Sequence, residues 1–201
     1  MKIITGASKG IGKYLLEKYI ATGETVIGTF LSTEPLPEYA KYYYRIDVSS
    51  YSDVAIWINS ISLEEKIVLI NCAGISYNSY AHKADPLLWE KVISTNLSGS
   101  FNIIRALLPE MRKNNYGRVI NFSSVVAQSG IPGTSAYAAS KAGLWGMTKA
   151  LAVENASKGI NRHRVRPIIE LISGLLPSSS TTIVPVINFP IVCPESDSKI
   201  M

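Results

Sequence analysis

The sequence alternates short apolar runs with longer segments of helical periodicity. Runs suited to strands cover residues 2–5, 25–30, 42–48, 66–71 and 118–123. Helical patterns cover residues 11–20, 51–61, 85–114 and 135–157, the third with an expected break near residues 96–99. Helices placed between strands favour a parallel sheet, and β-branched runs are typical of strands buried on both sides. We therefore predict a doubly wound α/β fold, a mainly parallel sheet with helices on both faces.

One connection departs from this pattern. Residues 31–41, between the second and third predicted strands, contain Pro35 and Pro37. Proline disfavours helix interiors, so we expect a trimmed crossover here instead of a long helix.

Composition excludes several classes of protein. A chain of 201 residues, 47% hydrophobic and 17% charged, has enough apolar residues for one core and is not intrinsically disordered. Its cysteines and histidines are Cys72, Cys193, His82 and His163, too few for a disulfide framework or a histidine-rich metal site. We expect no metal and a cytoplasmic location.

The net charge of +5 is a weak indication of nucleic-acid binding, because one tight cluster at residues 162–166 lacks interleaved aromatic residues. We expect no signal peptide, since residues 1–5 lead directly into a glycine-rich segment. We also expect no membrane span, because Glu170 and Pro177 interrupt the apolar stretch that starts at Ile168.

A glycine-rich segment, TGASKGIG at residues 5–12, lies between the first predicted strand and its helix. Glycines allow a tight turn and close approach of a pyrophosphate, and a helix N-terminus favours an anion. The alternative is that they serve only as a turn. Asp47 and residues 71–74 follow the third and fourth predicted strands, at the sheet edge where ligands bind, although either could be an ordinary turn.

A second group of residues points to proton transfer. Tyr137 and Lys141 are four residues apart on a predicted helix, so they share one face. An ammonium group beside a phenol stabilises the phenolate, which suits general acid–base catalysis. Ser124, thirteen residues before Tyr137, could hydrogen-bond the substrate carbonyl oxygen that exchanges a proton with Tyr137. The pair alone would be weak evidence, because such spacings are common on helix surfaces.

Taken in order, these motifs resemble the classical short-chain dehydrogenase/reductase family, most closely its 3-oxoacyl-acyl-carrier-protein reductase branch. The resemblance covers roughly residues 1–160 and includes the glycine segment, Asp47, Asn71-x-Ala73-Gly74, Asn96, Ser124 and Tyr137-x-x-x-Lys141. It implies a Rossmann-like fold and hydride transfer between NAD(P)(H) and a carbonyl or alcohol substrate, either a small molecule or an acyl thioester.

The resemblance also implies residue roles. Tyr137 would exchange the proton, Lys141 would assist it and hold the nicotinamide ribose, Ser124 would orient the substrate oxygen, and Asn96 would support a proton relay. Asp47 would meet the adenine edge. The residues implied to bind the cofactor are Gly6, Ser8, Lys9, Gly10, Ile11, Gly12, Asp47, Val48, Asn71, Ala73, Gly74, Tyr137 and Lys141.

Charge near the second strand indicates which cofactor is preferred. NAD sites commonly place a carboxylate at the end of this strand, whereas a 2′-phosphate requires a cation. Residues 28–33 contain no carboxylate, and Lys9 lies in the glycine segment. We therefore expect NADP(H) to be preferred, with NAD(H) as the alternative if Glu34 reaches back to the ribose.

The C-terminal part differs from the family pattern. We expect a dinucleotide-binding and catalytic domain over residues 1–159 and an atypical tail over 160–201. The sixth-strand position, residues 160–166, contains three arginines, and Ile168 replaces the glycine expected after Pro167. A shifted reading frame or a truncation is favoured over genuine divergence.

The tail bears on activity because the family's substrate lid lies in this region. The alternative to an active reductase is therefore a catalytically impaired or non-catalytic dinucleotide-binding protein. By the same resemblance, the long helices at residues 96–113 and 135–157 imply a homodimer or homotetramer.

Overall fold

A computed structural model describes residues 1–160 of the chain. Its sheet has five strands: β1 (Lys2–Thr5), β2 (Val26–Phe30), β3 (Tyr43–Arg45), β4 (Ile67–Asn71) and β5 (Gly117–Asn121). Their order in the sheet is β3-β2-β1-β4-β5, and all four neighbouring pairs are parallel. The predicted parallel sheet is confirmed.

The helices are α1 (Gly10–Ala21), α2 (Tyr51–Ser60), α3 (Pro86–Ile93), α4 (Gly99–Lys113), α5 (Val126–Ser129) and α6 (Ser135–Asn155). Helix α3 begins after Asp85, whose carboxylate accepts a hydrogen bond from the Leu87 amide at 2.8 Å. A π-helical segment, Ser94–Ser98, separates α3 from α4 and accounts for the break expected near residues 96–99.

The core lies on both faces of the sheet. Successive strand residues point to opposite sides, so Ile3 and Leu69 pack into one buried cluster, and Ile4 and Ile70 into the other. Helices α2 and α4 cover the first face, and α6 packs against the same cluster. Helix α1 covers the second face through Leu16. The expectation of helices on both faces is confirmed.

The strand order reverses at the centre of the sheet, which determines where a ligand can bind. Strands β2 and β3 extend from one side of β1, and β4 and β5 from the other. Thr5 and Asn71, which end β1 and β4, are register partners. Connections that leave in opposite directions at such a point open a crevice at the carboxyl ends of the strands.

Two strands end earlier than expected. The run at residues 42–48 forms a strand only over Tyr43–Arg45. A 3-10 helix at Pro37–Tyr42 precedes it, and Arg45 pairs with Phe30, the last residue of β2. Strand β5 stops at Asn121, because the chain then turns towards α6 and Ser123 donates a hydrogen bond to the Lys141 carbonyl at 2.9 Å.

Ile160 marks the end of the part that the structure describes. It is buried and forms a parallel bridge with Gly117 of β5, at the edge where a sixth strand would begin. The rest of the sixth-strand position at residues 160–166, which includes the cationic cluster, and the remaining tail with Cys193 lie outside the described residues. The proposed domain boundary at residue 159 therefore stays a prediction.

Within residues 1–160, no helix is both long and apolar enough to cross a membrane. The same part of the chain contains no group of three or more His, Cys, Asp or Glu side chains arranged to hold a metal ion.

Candidate active site

The glycine-rich segment forms a tight turn between β1 and α1. Gly6 and Gly10 have positive φ angles of 61° and 56°, a region that side chains disfavour. A Cβ on Gly6 would lie 2.6 Å from the Ala73 Cα, and one on Gly12 would lie 2.5 Å from the Gly6 carbonyl oxygen. Gly6 and Gly12 are therefore required for close packing, whereas a Cβ on Gly10 would meet no described atom within 4 Å.

Hydrogen bonds to β2 and to the segment that follows β4 hold this turn. The Ala7 amide donates to the Thr29 carbonyl of β2 at 2.8 Å. The Thr5 hydroxyl of β1 accepts hydrogen bonds from the Cys72 and Ala73 amides, both at 3.1 Å, at the exit of β4. The turn and the segment after β4 thus form one rigid edge of the crevice.

The N-terminus of α1 is suited to an anion. Lys9 occupies the N-cap position, its side chain does not cap the helix, and the first turn contains no acidic residue. The first amide groups of a helix have no partner within it and carry the positive end of its dipole. A phosphate placed there would receive their hydrogen bonds.

A cleft of about 660 Å³ runs from this turn across the ends of the central strands. Twelve of the residues expected at the site line it: Gly6, Ser8, Lys9, Gly10, Ile11, Gly12, Asp47, Val48, Ala73, Gly74, Tyr137 and Lys141. Asn71, Asn96 and Ser124 are expected site residues that do not line this cleft. The structure therefore brings most of the predicted site together along one surface.

Asp47 and Val48 follow β3 at the far side of the cleft. One Asp47 carboxylate oxygen accepts hydrogen bonds from the Ser49 amide at 2.9 Å and the Ser49 hydroxyl at 2.6 Å. Val48 is buried, and a Cβ on Gly99 of α4 would lie 2.7 Å from it. The close approach of α4 fixes this side of the cleft.

Tyr137 and Lys141 lie on α6 at the other end of the cleft. The Lys141 ammonium is 5.6 Å from the centre of the Tyr137 ring and donates a hydrogen bond to the Phe122 carbonyl at 2.8 Å. Lys141 is only 8% exposed. Burial lowers its pKa from 10.5 to about 8, while nearby Cys72 acts in the opposite direction. The lysine can therefore change its charge close to neutral pH.

Asn96 lies in the π-helical segment and is buried behind the cleft. Its side-chain oxygen accepts a hydrogen bond from the Ile75 amide at 2.8 Å. Its side-chain nitrogen donates to the Ile75 carbonyl at 2.9 Å and to the Ser140 hydroxyl at 3.1 Å. Asn96 thus ties the loop after β4 to α6, one residue before Lys141. Such π segments are frequent at functional sites.

Ser124 lies three residues beyond the end of β5 and is largely buried. Its hydroxyl accepts a hydrogen bond from the Val126 amide at 3.3 Å, at the start of α5. The adjacent Ser123 lines the cleft.

Comparison with protein-family models decides the family. The model described as short chain dehydrogenase matches residues 1–170, most of the chain. The chain belongs to the short-chain dehydrogenase family. It is accordingly an NAD(P)-dependent oxidoreductase, and the resemblance inferred from the motifs is confirmed.

Similar family members are known from several bacteria. The chain is 37% identical over 175 residues to the acetoacetyl-CoA reductase of Rhizobium meliloti, covering 82% of this chain and 71% of that protein. It is 39% identical over 169 residues to the 3-oxoacyl-(acyl-carrier-protein) reductase of Rickettsia conorii, covering 82% and 70%. The corresponding reductase of Escherichia coli is 35% identical over 173 residues, covering 82% and 71%.

The residues of this short-chain dehydrogenase fit a nicotinamide dinucleotide. The turn leaves open space at Gly10, next to a helix N-terminus without a side-chain cap. From there the cleft reaches Tyr137 and Lys141 along the exits of β1 and β4. A volume of about 660 Å³ is within the usual range for ligand pockets.

Asn71 has a different place from the one expected. It is buried at the end of β4, and its side-chain nitrogen donates a hydrogen bond to Asn121 of β5 at 2.8 Å. Asn121 in turn donates to the Thr148 hydroxyl of α6 at 2.8 Å. The Thr5 hydroxyl lies 3.4 Å from the Asn71 side-chain oxygen. These four residues, called the amide chain below, connect β1, β4, β5 and α6.

Sequence reasoning missed Asn121 and Thr148. A signal was present, because the apolar runs of β4 and β5 both end in asparagine and the two asparagines are register partners. A polar residue at the end of a buried strand requires a hydrogen-bonding partner. The hydrogen bond to Thr148 could not be predicted from its position on α6, because threonines are common on exposed faces of helices.

Proposed function

We propose that this short-chain dehydrogenase reduces 3-oxoacyl thioesters with NADPH. The observation that carries the proposal is that Tyr137 and Lys141 line the same cleft as the glycine turn. The names of the relatives, acetoacetyl-CoA reductase and 3-oxoacyl-(acyl-carrier-protein) reductase, support the substrate class.

The preference for NADPH is supported by charge at the exit of β2. The cleft is lined there by residues 29–33, which include Ser32 and Thr33 and no carboxylate. Lys9 lines the cleft at the start of α1. Hydroxyl groups and a cation favour a 2′-phosphate over a free 2′-hydroxyl.

The bound nicotinamide would supply the hydride that reduces the carbonyl carbon. Tyr137 is proposed to donate the proton that the carbonyl oxygen gains. Below its pKa of about 8, Lys141 carries a positive charge that stabilises the phenolate left on Tyr137. Ser124 is proposed to orient the substrate oxygen.

Asn96 supports this arrangement through the hydrogen bond to Ser140, whose hydroxyl donates to the Tyr137 carbonyl at 2.8 Å. Gly6, Ser8, Gly10, Ile11, Gly12 and Ala73 are proposed to hold the pyrophosphate side of the cofactor, and Asp47 and Val48 the adenine side.

The first experiment measures oxidation of NADPH and NADH with acetoacetyl-CoA, simple ketones and quinones. We expect turnover with the thioester and a lower KM for NADPH. Tyr137→Phe should abolish turnover while leaving NADPH binding in place. Binding of NADPH by the native chain without turnover of any substrate would contradict the proposal.

The second experiment tests the cofactor preference. Lys9→Ala should raise the KM for NADPH about tenfold, the loss of one hydrogen bond between charged groups, and leave the KM for NADH nearly unchanged. Lys13→Ala is the control, because Lys13 lies on the same helix, pairs with Glu17 at 2.7 Å and does not line the cleft. Equal effects of Lys9→Ala on both cofactors would contradict the assignment.

The other expectations, a cytoplasmic protein that forms a homodimer or homotetramer, stay predictions.

A further inference from the structure

Tyr43 reaches the glycine turn from the far edge of the sheet. It begins β3, where its register partner on β2 is Gly28. Its ring crosses over that glycine, since a Cβ on Gly28 would lie 3.2 Å from a Tyr43 ring carbon. Beyond it, the Tyr43 hydroxyl donates a hydrogen bond to the Ala7 carbonyl at 2.7 Å.

We infer that Tyr43 is a positioning residue for the dinucleotide: its hydroxyl fixes the Ala7–Ser8 peptide plane and thereby the direction of the Ser8 amide at the cleft. In a trans peptide the carbonyl and the following N–H point in opposite directions. No peptide bond within residues 1–160 is cis. Holding the Ala7 carbonyl towards β3 therefore turns the Ser8 N–H away from β3, and Ser8 lines the cleft.

The Ala7 peptide groups are held from both sides. The Ala7 amide donates to the Thr29 carbonyl at 2.8 Å, and the Ala7 carbonyl accepts from Tyr43. Among the described residues, no side chain donates a hydrogen bond to the carbonyls of the two neighbouring residues, Gly6 and Ser8. Without the Tyr43 hydroxyl, the plane between Ala7 and Ser8 would be free to rotate beside flexible glycines.

The short connection between β2 and β3 allows the Tyr43 side chain to reach the Ala7 carbonyl. A 3-10 helix, Pro37–Tyr42, replaces a crossover helix between β2 and β3, and Tyr43 packs against the α1 side of the sheet. Phe30 contacts the Tyr43 ring edge to face, with ring centres 6.2 Å apart. Burial, assisted by Glu17 and Tyr39, raises the Tyr43 pKa to about 12, so the hydroxyl remains a donor at neutral pH.

This inference rests on the proposed function, because it assumes that the dinucleotide binds at the turn. The test compares Tyr43→Phe with Tyr44→Phe. Both substitutions remove one hydroxyl from β3, but Tyr44 packs against Trp57 on the opposite face. The binding of NADPH and NADH is measured by fluorescence titration, and steady-state kinetics are measured with acetoacetyl-CoA.

We expect Tyr43→Phe to raise the Kd and KM of both cofactors about two- to tenfold, the range for one neutral hydrogen bond, with kcat at saturating cofactor little changed. Tyr44→Phe should leave these constants as in the native chain. Absence of cofactor binding by the native chain would overturn the proposed function and this inference together. Normal binding by the native chain with an unchanged Kd in Tyr43→Phe would overturn the inference alone.

Hydrogen–deuterium exchange of the cofactor-free protein distinguishes positioning from general stabilisation. In Tyr43→Phe we expect faster amide exchange in residues 6–12 and unchanged exchange in α2. Faster exchange in both regions, or a variant that does not fold, would mean that the hydroxyl supports the whole fold, which overturns the positioning role. An equal decrease in kcat and in cofactor affinity would overturn it as well.

Discussion

Lys141 is expected to make the fold more stable as the pH rises from 7 to 9. Burial lowers its pKa from 10.5 to about 8 in the folded protein. The unfolded chain keeps the proton up to about pH 10.5, so between these values it binds more protons than the folded protein. Stability increases with pH wherever the unfolded state binds more protons.

The size of the effect follows from the two pKa values. Each unit of difference corresponds to about 1.4 kcal/mol, so the full penalty on the charged lysine is about 3 kcal/mol. About 1.3 kcal/mol of this is recovered between pH 7 and pH 9. The range stops there because burial raises the Cys72 pKa from 9.0 to about 12. The unfolded chain therefore releases this proton as the pH passes through 9 while the folded protein keeps it, which lowers the stability progressively.

The assay is urea unfolding at pH 7, 8 and 9 of the native chain, Lys141→Met and Lys91→Met. The free energy of unfolding of the native chain should rise by about 1 kcal/mol relative to Lys141→Met over this range. The hydrogen bond to the Phe122 carbonyl is lost in the variant at every pH, so it does not alter the slope. Lys91 is exposed on α3 and is the matched control.

A constant difference between the native chain and Lys141→Met would refute the reasoning, as would a difference that falls with pH. A pH dependence in Lys91→Met that matches Lys141→Met would show that the slope does not come from the buried position. Lys141→Met should also lose reductase activity at every pH, because its role in proton transfer is proposed to depend on the charge.

Three further predictions concern packing at two glycines and one buried hydrogen bond. Gly12→Ala should weaken NADPH binding about tenfold or more in calorimetric titration, because its Cβ would lie 2.5 Å from the Gly6 carbonyl oxygen. Gly146 on α6 has open space around it within the described part of the chain, so Gly146→Ala should instead raise the free energy of unfolding by about 0.5–1 kcal/mol. Unchanged NADPH binding in Gly12→Ala would contradict the first prediction, and a lower free energy of unfolding in Gly146→Ala would contradict the second. Thr148→Val should lower that free energy by about 1–3 kcal/mol, because the Asn121 side-chain nitrogen loses its acceptor. An unchanged urea midpoint for Thr148→Val would show that the amide chain contributes no stability.

The periodic features of the sequence predicted most of the fold. Helical segments between successive apolar runs predicted a parallel sheet, which the structure has. The spacing of Gly6, Gly10 and Gly12 predicted a turn, which the positive φ angles of Gly6 and Gly10 confirm. The separation of Tyr137 and Lys141 by four residues predicted a shared helix face, and both residues line the cleft.

Contacts between distant residues could not be predicted in the same way. The bond from Tyr43 to Ala7 spans 36 residues, and no local pattern specifies which carbonyl a strand hydroxyl will reach. The shortened β3 could not be predicted either. Residues 42–48 have strand composition, but a 3-10 helix extends to Tyr42 and the partner strand β2 ends at Phe30, opposite Arg45. Lys141 donates a hydrogen bond to the Phe122 carbonyl, one residue beyond the end of β5, and no local pattern in the sequence specifies this contact either.

The amide chain explains how the two halves of the site remain in register. Buried polar groups are costly unless they are paired, so each asparagine side chain fixes the distance between the elements that it joins. Asn71 and Asn121 join β4 to β5, and Thr148 adds α6. Thr5 joins the chain to β1 directly before the glycine turn, and α6 carries Tyr137 and Lys141. A shift of α6 by one helical turn would leave the Asn121 side-chain amide without its acceptor on Thr148. The hydrogen bonds that stabilise the sheet therefore also hold Tyr137, the proposed proton donor, in place relative to the glycine turn.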